Sequence, residues 1–305
     1  MPSQASPYLP GPDTRTELVE FASGGRRVQG ALFSQARETT RDGVLLIHGV
    51  ESFWYSGPSM FLACGLADRG FTTLAYNGVH SGQGFRLSNF EDAVAEVGDA
   101  IAYFKSRGVE RVFLAGHSLG TPIVQRYAGG APDTSLAGVG LYGPHISIPE
   151  VTRDSLLGPD AYARFRDQCR ALVAAGRGEE IQLLPYRGSR VIVTSARSFL
   201  SYRDVETSKA SVADAAARIR VPMAIFYDRA DNIQGLGAVT LRETIARRIV
   251  EAAALAPRVD IEIIPSTEGN TPVEAHSFLH KEHVVVERTV SWLGSIKAEL
   301  HGKDR

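Results

Sequence analysis

The sequence predicts an α/β fold: a doubly wound, mostly parallel sheet with helices on both faces and a helical lid inserted late in the chain. Three observations predict it. Short apolar runs alternate with amphipathic stretches of helical length, the rhythm of strand and crossover helix. Residues 43–49 (G-V-L-L-I-H-G) run apolar without alternation up to His-Gly, as a strand buried on both faces of a parallel sheet must. From His145 to about Arg220 the rhythm breaks, so a core is expected over residues 1–144 and 218–305 and an inserted lid over 145–217.

Taken in order, residues 16–22 and 28–34 alternate apolar and polar across Ser23-Gly24-Gly25, which reads as a β-hairpin. Residues 58–69 read as a helix with Met60, Phe61, Leu62 and Leu66 inward and Gly70 as its stop. A strand at 71–76 leads into the glycine-rich loop 77–84. That loop lacks the Lys-Ser/Thr of a phosphate-binding loop and the G-x-G-x-x-G spacing, which favours a structural turn. Residues 88–107 carry the stripe Phe90, Val94, Val97, Ile101, Phe104, with Ser88 and Glu91 spaced as a capping box and Gly108 beyond. Strands follow at 112–115 and 136–142, with a helix between them carrying Ile123, Val124 and Tyr127. Within the insertion, 160–175 and 179–184 read as helical, 190–194 as β-like, and 201–217 is polar and Ala-rich. The core resumes with strands at 221–227 and 258–264. Between them lies a helix over 240–255, with Thr240 and Glu243 as a second capping box and Leu241, Ile245, Ile249 and Ala252 inward. A helix at 283–298, with Val286, Val290, Leu293 and Ile296 inward, closes the chain.

Composition narrows the function classes. With 44% apolar and 22% charged residues and a formal net charge of -1 over 305 residues, the chain is globular and not a polyelectrolyte. Nucleic acid is not an expected partner, because phosphate binding needs clustered, uncompensated Lys and Arg. No run has the length to span a bilayer, and Met1 to Pro12 holds four prolines and no apolar signal-peptide core. A mobile or surface-draped tail and a cytoplasmic location are expected. Cys64 and Cys169, the two cysteines, lie far apart with no C-x-x-C spacing; a disulfide is the alternative to two buried free thiols, the commoner pattern.

The chemistry gathers at Gly116-His117-Ser118-Leu119-Gly120, a G-x-S-x-G turn between strand and helix. Such an elbow holds its serine in a strained conformation, with glycines that let strand and helix approach. Because Ser118 opens a helix, the amide of Leu119 points toward negative charge developing beside it. Serine needs a base to take its proton, and the base needs a third group to orient it. In chain order Ser, Asp/Glu, His, the candidates are Asp228 or Asp231 after one strand and His276, His280 or His283 after the next. His48-Gly49, Ser118 and these two segments all follow strand carboxyl ends, where such sheets bind ligands. The spacing of His276, His280 and His283 also admits a zinc site, though without H-E-x-x-H.

From the His-Gly strand end through G-H-S-L-G to A-H-S-F-L, the chain resembles the α/β-hydrolase fold superfamily, and within it serine hydrolases of the esterase and thioesterase kind. The resemblance implies a Ser118, Asp231, His276 triad. Family members place the acid in a V-P-x-x-x-x-x-G-x-x-D setting, which Val221 to Asp231 matches except that Asp228 replaces the glycine, leaving Asp228 open as a substitute. His276-Ser277-Phe278 fits the family's histidine, while His280 and His283 read as a polar helix start inside the last helix. His48-Gly49 would shape the oxyanion loop, with Val50 as second amide donor beside Leu119, or Glu51 if the loop is offset by one. His117 would be a packing residue. The insertion falls where this fold carries its cap, which covers the serine and sets substrate choice. Phe53, Trp54 and Tyr55, with Phe199 and Tyr202 in the cap, are candidates for an acyl or alcohol pocket, or equally for core packing. The implied activity is hydrolysis of a carboxylic ester, thioester or lactone, with a small-molecule ester or acyl substrate and neither metal nor other cofactor. Acyl transfer by the same triad, or ligand binding without turnover, are the alternatives.

Overall fold

The computed structural model describes residues 6–36, 40–130, 133–145, 148–186, 190–233 and 241–303. In chain order the elements are β1 (Thr14–Ser23), β2 (Arg26–Gln35), β3 (Asp42–Ile47), α1 (Gly57–Ala67), β4 (Thr72–Tyr76), α2 (Phe90–Ser106), β5 (Arg111–His117), α3 (Gly120–Ala128) and β6 (Leu136–Tyr142). There follow α4 (Ile148–Val151), a π-helical stretch Thr152–Leu157, α5 (Pro159–Ala174), β7 (Ile181–Tyr186), β8 (Arg190–Ser195), α6 (Ala196–Arg203) and α7 (Val212–Ala216). The core resumes with β9 (Met223–Asp228), α8 (Arg242–Ala252), β10 (Val259–Ile264), α9 (Pro272–His276) and α10 (Glu282–Lys303).

Eight strands form one sheet in the order β1-β2-β4-β3-β5-β6-β9-β10. The pairs β1–β2 and β2–β4 are antiparallel and the rest parallel, which is the mostly parallel sheet the apolar runs predict. Alternate residues of β3 feed two cores. Leu45 and Ile47 pack with Val97, Ile101, Leu114 and Ile123 on the face covered by α2 and α3. Val44 and Leu46 pack with Phe61, Leu62, Phe113 and Leu293 on the face covered by α1 and α10. Because α1 leads from β3 to β4 on one side and α2 returns across to β5 on the other, the strand order reverses between β3 and β5. A crevice opens at the carboxyl ends of strands where the order reverses, and His48 and Ser118 follow those two ends.

Between β6 and β9 the chain leaves the sheet and builds a small core of its own from Tyr162, Phe165, Cys169, Ala196 and Phe199. Residues 179–184, expected to be helical, lie mostly in β7, paired antiparallel to β8. Leu184 precedes Pro185, and a residue before proline is pushed out of the helical region toward extended backbone. The capping box expected at Ser88 and Glu91 does not form. Asn89 is the residue at the helix start, and Ser201 of the insertion takes over, accepting from the Phe90 amide (2.7 Å) and donating to Glu91 (2.7 Å). The second expected box involves Thr240, which lies outside the described residues. His280, expected inside the last helix, sits before α10 with φ 66°. Cys64 and Cys169 are free and buried.

Residues 6–12 of the tail lie on the surface of the core: Tyr8 packs edge-on against Phe61 and donates to Glu282 (3.0 Å), and the Gly11 amide donates to Asp68 (2.9 Å). No helix among the described residues is long and apolar enough to cross a membrane.

Candidate active site

Ser118 stands at the end of β5 with φ 51°, in the left-handed region that costs an ordinary side chain roughly 1–2 kcal/mol. The surrounding backbone holds it there. A Cβ on Gly116 would lie 2.4 Å from the Gly120 carbonyl oxygen, and one on Gly120 would lie 2.3 Å from that of Ile47, so both flanking glycines are required by the contact of turn, helix and β3. The Ser118 amide donates to Tyr142 (3.0 Å), and the Ser118 carbonyl accepts from the Thr121 hydroxyl (2.6 Å).

His276 is the last residue of α9, a helix started by a full capping box: the Thr271 hydroxyl accepts from the Glu274 amide, and Glu274 accepts from the Thr271 amide. The box satisfies orphan amides at both ends of the turn and fixes where the short helix begins. Nδ1 of His276 donates to Oδ2 of Asp231 at 2.7 Å, which leaves Nε2 as the unprotonated nitrogen of a neutral ring. Gly143 makes room for the pair, since a Cβ there would lie 3.0 Å from His276 Nδ1 and 3.3 Å from Asp231 Oδ2.

Asp231, not Asp228, meets the histidine. Asp228 is buried at the end of β9, where its carboxylate accepts from the Ala230 amide (2.8 Å) and from the Ser266 hydroxyl, bracing the turn to the β10 exit. Asp231 carries a second buried partner that sequence reading missed. Nε of Arg242 donates to the same Oδ2 at 2.6 Å, and Nη1 donates to the Pro144 carbonyl at 2.9 Å. Burial pushes the Asp231 carboxyl up, but His276 and Arg242 together outweigh it and hold the group well below the usual carboxylate range.

His117 joins elbow to base. Its ring lies 4.7 Å from that of His276, centroid to centroid, and its Nε2–H donates to the His276 carbonyl at 3.0 Å. Burial, with His276 beside it, lowers its pKa to about 3, so it stays neutral and acts as a strut. Ser118 is thus adjacent in sequence to the side chain that holds His276.

On the other side of Ser118, a Cβ on Gly49 would lie 3.0 Å from Ser118 Cβ. His48 frames this loop: Nδ1 donates to the Gly49 carbonyl (2.7 Å), and Nε2 accepts from Ser81 (2.8 Å) and the Gly78 amide (3.3 Å). Burial lowers its pKa to about 4, which keeps Nε2 an acceptor. Glu51 has φ 54° and pairs with Arg86. Among the described residues, neither the Val50 amide nor the Leu119 amide has a hydrogen-bond acceptor.

Of the aromatic candidates, Phe53, Trp54 and Tyr55 are partly exposed on the loop after Val50; Phe53 stacks on Tyr55 (5.2 Å) and Trp54 meets Tyr55 edge-on (5.3 Å). Phe199 and Tyr202 are instead buried in packing. They are 0% and 1% exposed, Phe199 packed against Phe165 and Tyr202 against Phe85 and Phe90, because α6 turns that face into the insertion's own core and onto α2. His280 and His283 border a groove under the N-terminal segment, while His276 faces Asp231. Among the described residues, no group of three or more His, Cys, Asp or Glu side chains is placed to hold a metal ion.

A family model described as "Alpha/beta hydrolase family" matches residues 44–287. No curated protein matches the chain. Among solved structures, Est1E from Butyrivibrio proteoclasticus is similar at TM-score 0.65 and 16% identity, over 92% of this chain and 99% of that one. An esterase from Pyrococcus furiosus matches at TM-score 0.61 and 13% identity, over 92% and 91% of the two chains. The esterase domain of a Rhodothermus marinus protein matches at 0.55 and 17%, over 90% and 97%. At such identities the likeness is one of fold.

Proposed function

The chain belongs to the alpha/beta hydrolase family, and from that premise we propose that it is a serine hydrolase cleaving a small-molecule carboxylic ester, with thioester and lactone as close variants. The observation that carries this reading is the 2.7 Å bond from His276 to Asp231 in the crevice that also holds the strained Ser118. Two of the fold neighbours are named as esterases, which agrees with it.

In this reading Ser118 Oγ attacks the acyl carbon while Nε2 of His276 takes the hydroxyl proton. Asp231 holds the ring in the tautomer with Nδ1 protonated and stabilises the imidazolium that forms. The amides of Leu119 and Val50, which have no acceptor among the described residues, receive the oxyanion. His276 returns the proton to the leaving alcohol, and a water activated by the same nitrogen then splits the acyl-serine. Neither metal nor cofactor enters any step. Phe53, Trp54 and Tyr55 form one wall of the substrate site, and residues 145–217 serve as its cap. Two bonds support the cap assignment: Arg86 donates to the Val193 carbonyl (3.2 Å) and Ser198 donates to the Phe85 carbonyl (3.0 Å), tying the insertion to the loop that also carries Ser81.

A fluorophosphonate tests the reading: mass mapping should find the adduct on Ser118, and Ser118→Ala should lose roughly 10⁴-fold or more in kcat on short p-nitrophenyl esters. An adduct elsewhere, or an unimpaired Ser118→Ala, overturns it.

A further inference from the structure

We propose that Arg242 is a positioning residue of this site, holding Asp231 fixed and ionised as the acceptor for His276; the inference rests on the serine-hydrolase reading above. Arg242 is among the largest side chains fully withdrawn from water, 1% exposed. Taking a guanidinium out of water is costly unless it is paired and hydrogen-bonded, and this one spends its donors within the site. Nε goes to Asp231 Oδ2 and Nη1 to the Pro144 carbonyl, while Nη2 lies 3.4 Å from His276 Nδ1. With Nδ1 already donating to Asp231, that last contact joins two donors and is no bond. Both donors, the guanidinium Nε–H and the imidazole Nδ1–H, converge on one carboxylate oxygen.

The placement does not serve helix α8. Arg242 is its first residue, where the helix dipole disfavours a positive charge, so the position is unfavourable locally and is offset only by the site. Asp231 needs the support. It is 0% exposed, and among the described residues its other oxygen, Oδ1, accepts a long 3.4 Å bond from the Ile233 amide and nothing else. Burial favours the protonated acid, a weaker acceptor whose own O–H can donate to the ring, and so would release the imidazole to the wrong tautomer. The charged and titratable groups around the carboxylate are His276 from α9 and Arg242 from α8, with His117 from β5 behind the imidazole and Asp228 from β9 turned away to Ala230 and Ser266. Arg242 alone among them is a permanent cation.

The test compares Arg242→Met and Arg242→Lys with the parent. Its readouts are kcat, KM and the pH profile on one ester, thermal melts, and the far-downfield Nδ1 proton of His276 in ¹H NMR, assigned by its loss in His276→Ala. Arg242→Met should lower kcat on the order of 10- to 100-fold with KM little changed, lose activity at a higher pH than the parent on acidification, and lose or broaden the downfield proton. Arg242→Lys, which keeps a cation against Asp231, should recover most of kcat and the signal. A Met variant with the parent's kcat and pH profile, whatever its melting temperature, overturns the proposal, as does a Lys variant no better than Met. Should Arg242→Met fail to fold, the folded Lys variant decides: a retained signal supports the proposal and a lost one overturns it. If the parent neither turns over esters nor takes a label on Ser118, the hydrolase reading fails by itself, while the NMR comparison still decides whether Arg242 positions Asp231 and His276.

Discussion

Two aspartates three residues apart do different work, and the difference is visible in what each carboxylate accepts. Asp231 receives His276 Nδ1–H and Arg242, whereas Asp228 receives a backbone amide and the Ser266 hydroxyl. Asp231→Asn should therefore lower kcat by about 10⁴-fold, the scale set when the orienting acid of a serine protease is neutralised. Asp228→Asn should leave kcat within about a factor of a few and cost stability instead, roughly 1–3 kcal/mol for hydrogen bonds to a buried charge. Steady-state kinetics at matched folding, checked by melts, separates them, and a crippled Asp228→Asn beside a silent Asp231→Asn would exchange their roles. At this scale the sequence shows Ser118 and narrows the other two positions to short lists, because motif spacing along one strand exit survives in the linear order. Arg242 was not legible. In sequence it is one more arginine in the first turn of an amphipathic helix; its partners come from three segments that only the closed fold brings together.

Among the elements, α9 shows how a capping signal can be right in chemistry and wrong in place. Ser88 with Glu91 and Thr271 with Glu274 have the same spacing, yet only the second pair closes a box. At α2 the chain starts its helix one residue later, and a serine from the insertion satisfies the first amide. No local pattern reports that Ser201 will arrive there. Strand β7 departs from the expected helix for a related reason: residues 179–184 suit a helix by composition, but Pro185 and the pairing with β8 favour extended chain. In the proposed mechanism the box at α9 matters for function, because His276 ends that single short helix. Thr271→Ala should destabilise the protein by about 1 kcal/mol and, by fraying the turn that aims the imidazole, lower kcat more than it changes KM. Denaturant titration and kinetics on the same sample check this; a loss of stability with kcat intact would mean that His117 and Asp231 hold the ring without the helix.

For the whole molecule, alternation of apolar runs and helical stripes sufficed to predict the parallel sheet, since each strand buried on two faces must be apolar throughout. The tertiary ties that lock its layers were invisible, and two of them make stability depend on pH in opposite senses. Asp42, at the start of β3, bonds Arg111 of β5 at 2.5 Å and Lys297 of α10 at 2.5 Å. Burial works against its charge, but the bonds to Arg111 and Lys297 prevail and lower its pKa, so its contribution is present above about pH 4, its unfolded range, and is lost as the pH falls further. Glu96, on α2 beneath the loop that holds His48, accepts from the Val79 amide at 2.6 Å and pairs with Arg26 at 3.3 Å. Burial dominates there and raises its pKa to about 7. Between pH 4.5 and 7 the folded state then binds more protons at Glu96 than the unfolded chain does, and stability falls as the pH rises through that window. Asp42→Asn should cost about 2 kcal/mol at pH 7, less than a fully buried pair because Arg111 and Lys297 stay partly in water, and the deficit should shrink below pH 4. Glu96→Gln keeps an acceptor for Val79 and removes the buried charge, so its stability should decline less between pH 5 and 8 than the parent's. Melting curves of the three proteins at half-unit pH steps decide both: parallel curves for Glu96→Gln and the parent would mean that Arg26 keeps Glu96 ionised throughout, and a deficit for Asp42→Asn that persists at low pH would assign its cost to packing and not to charge.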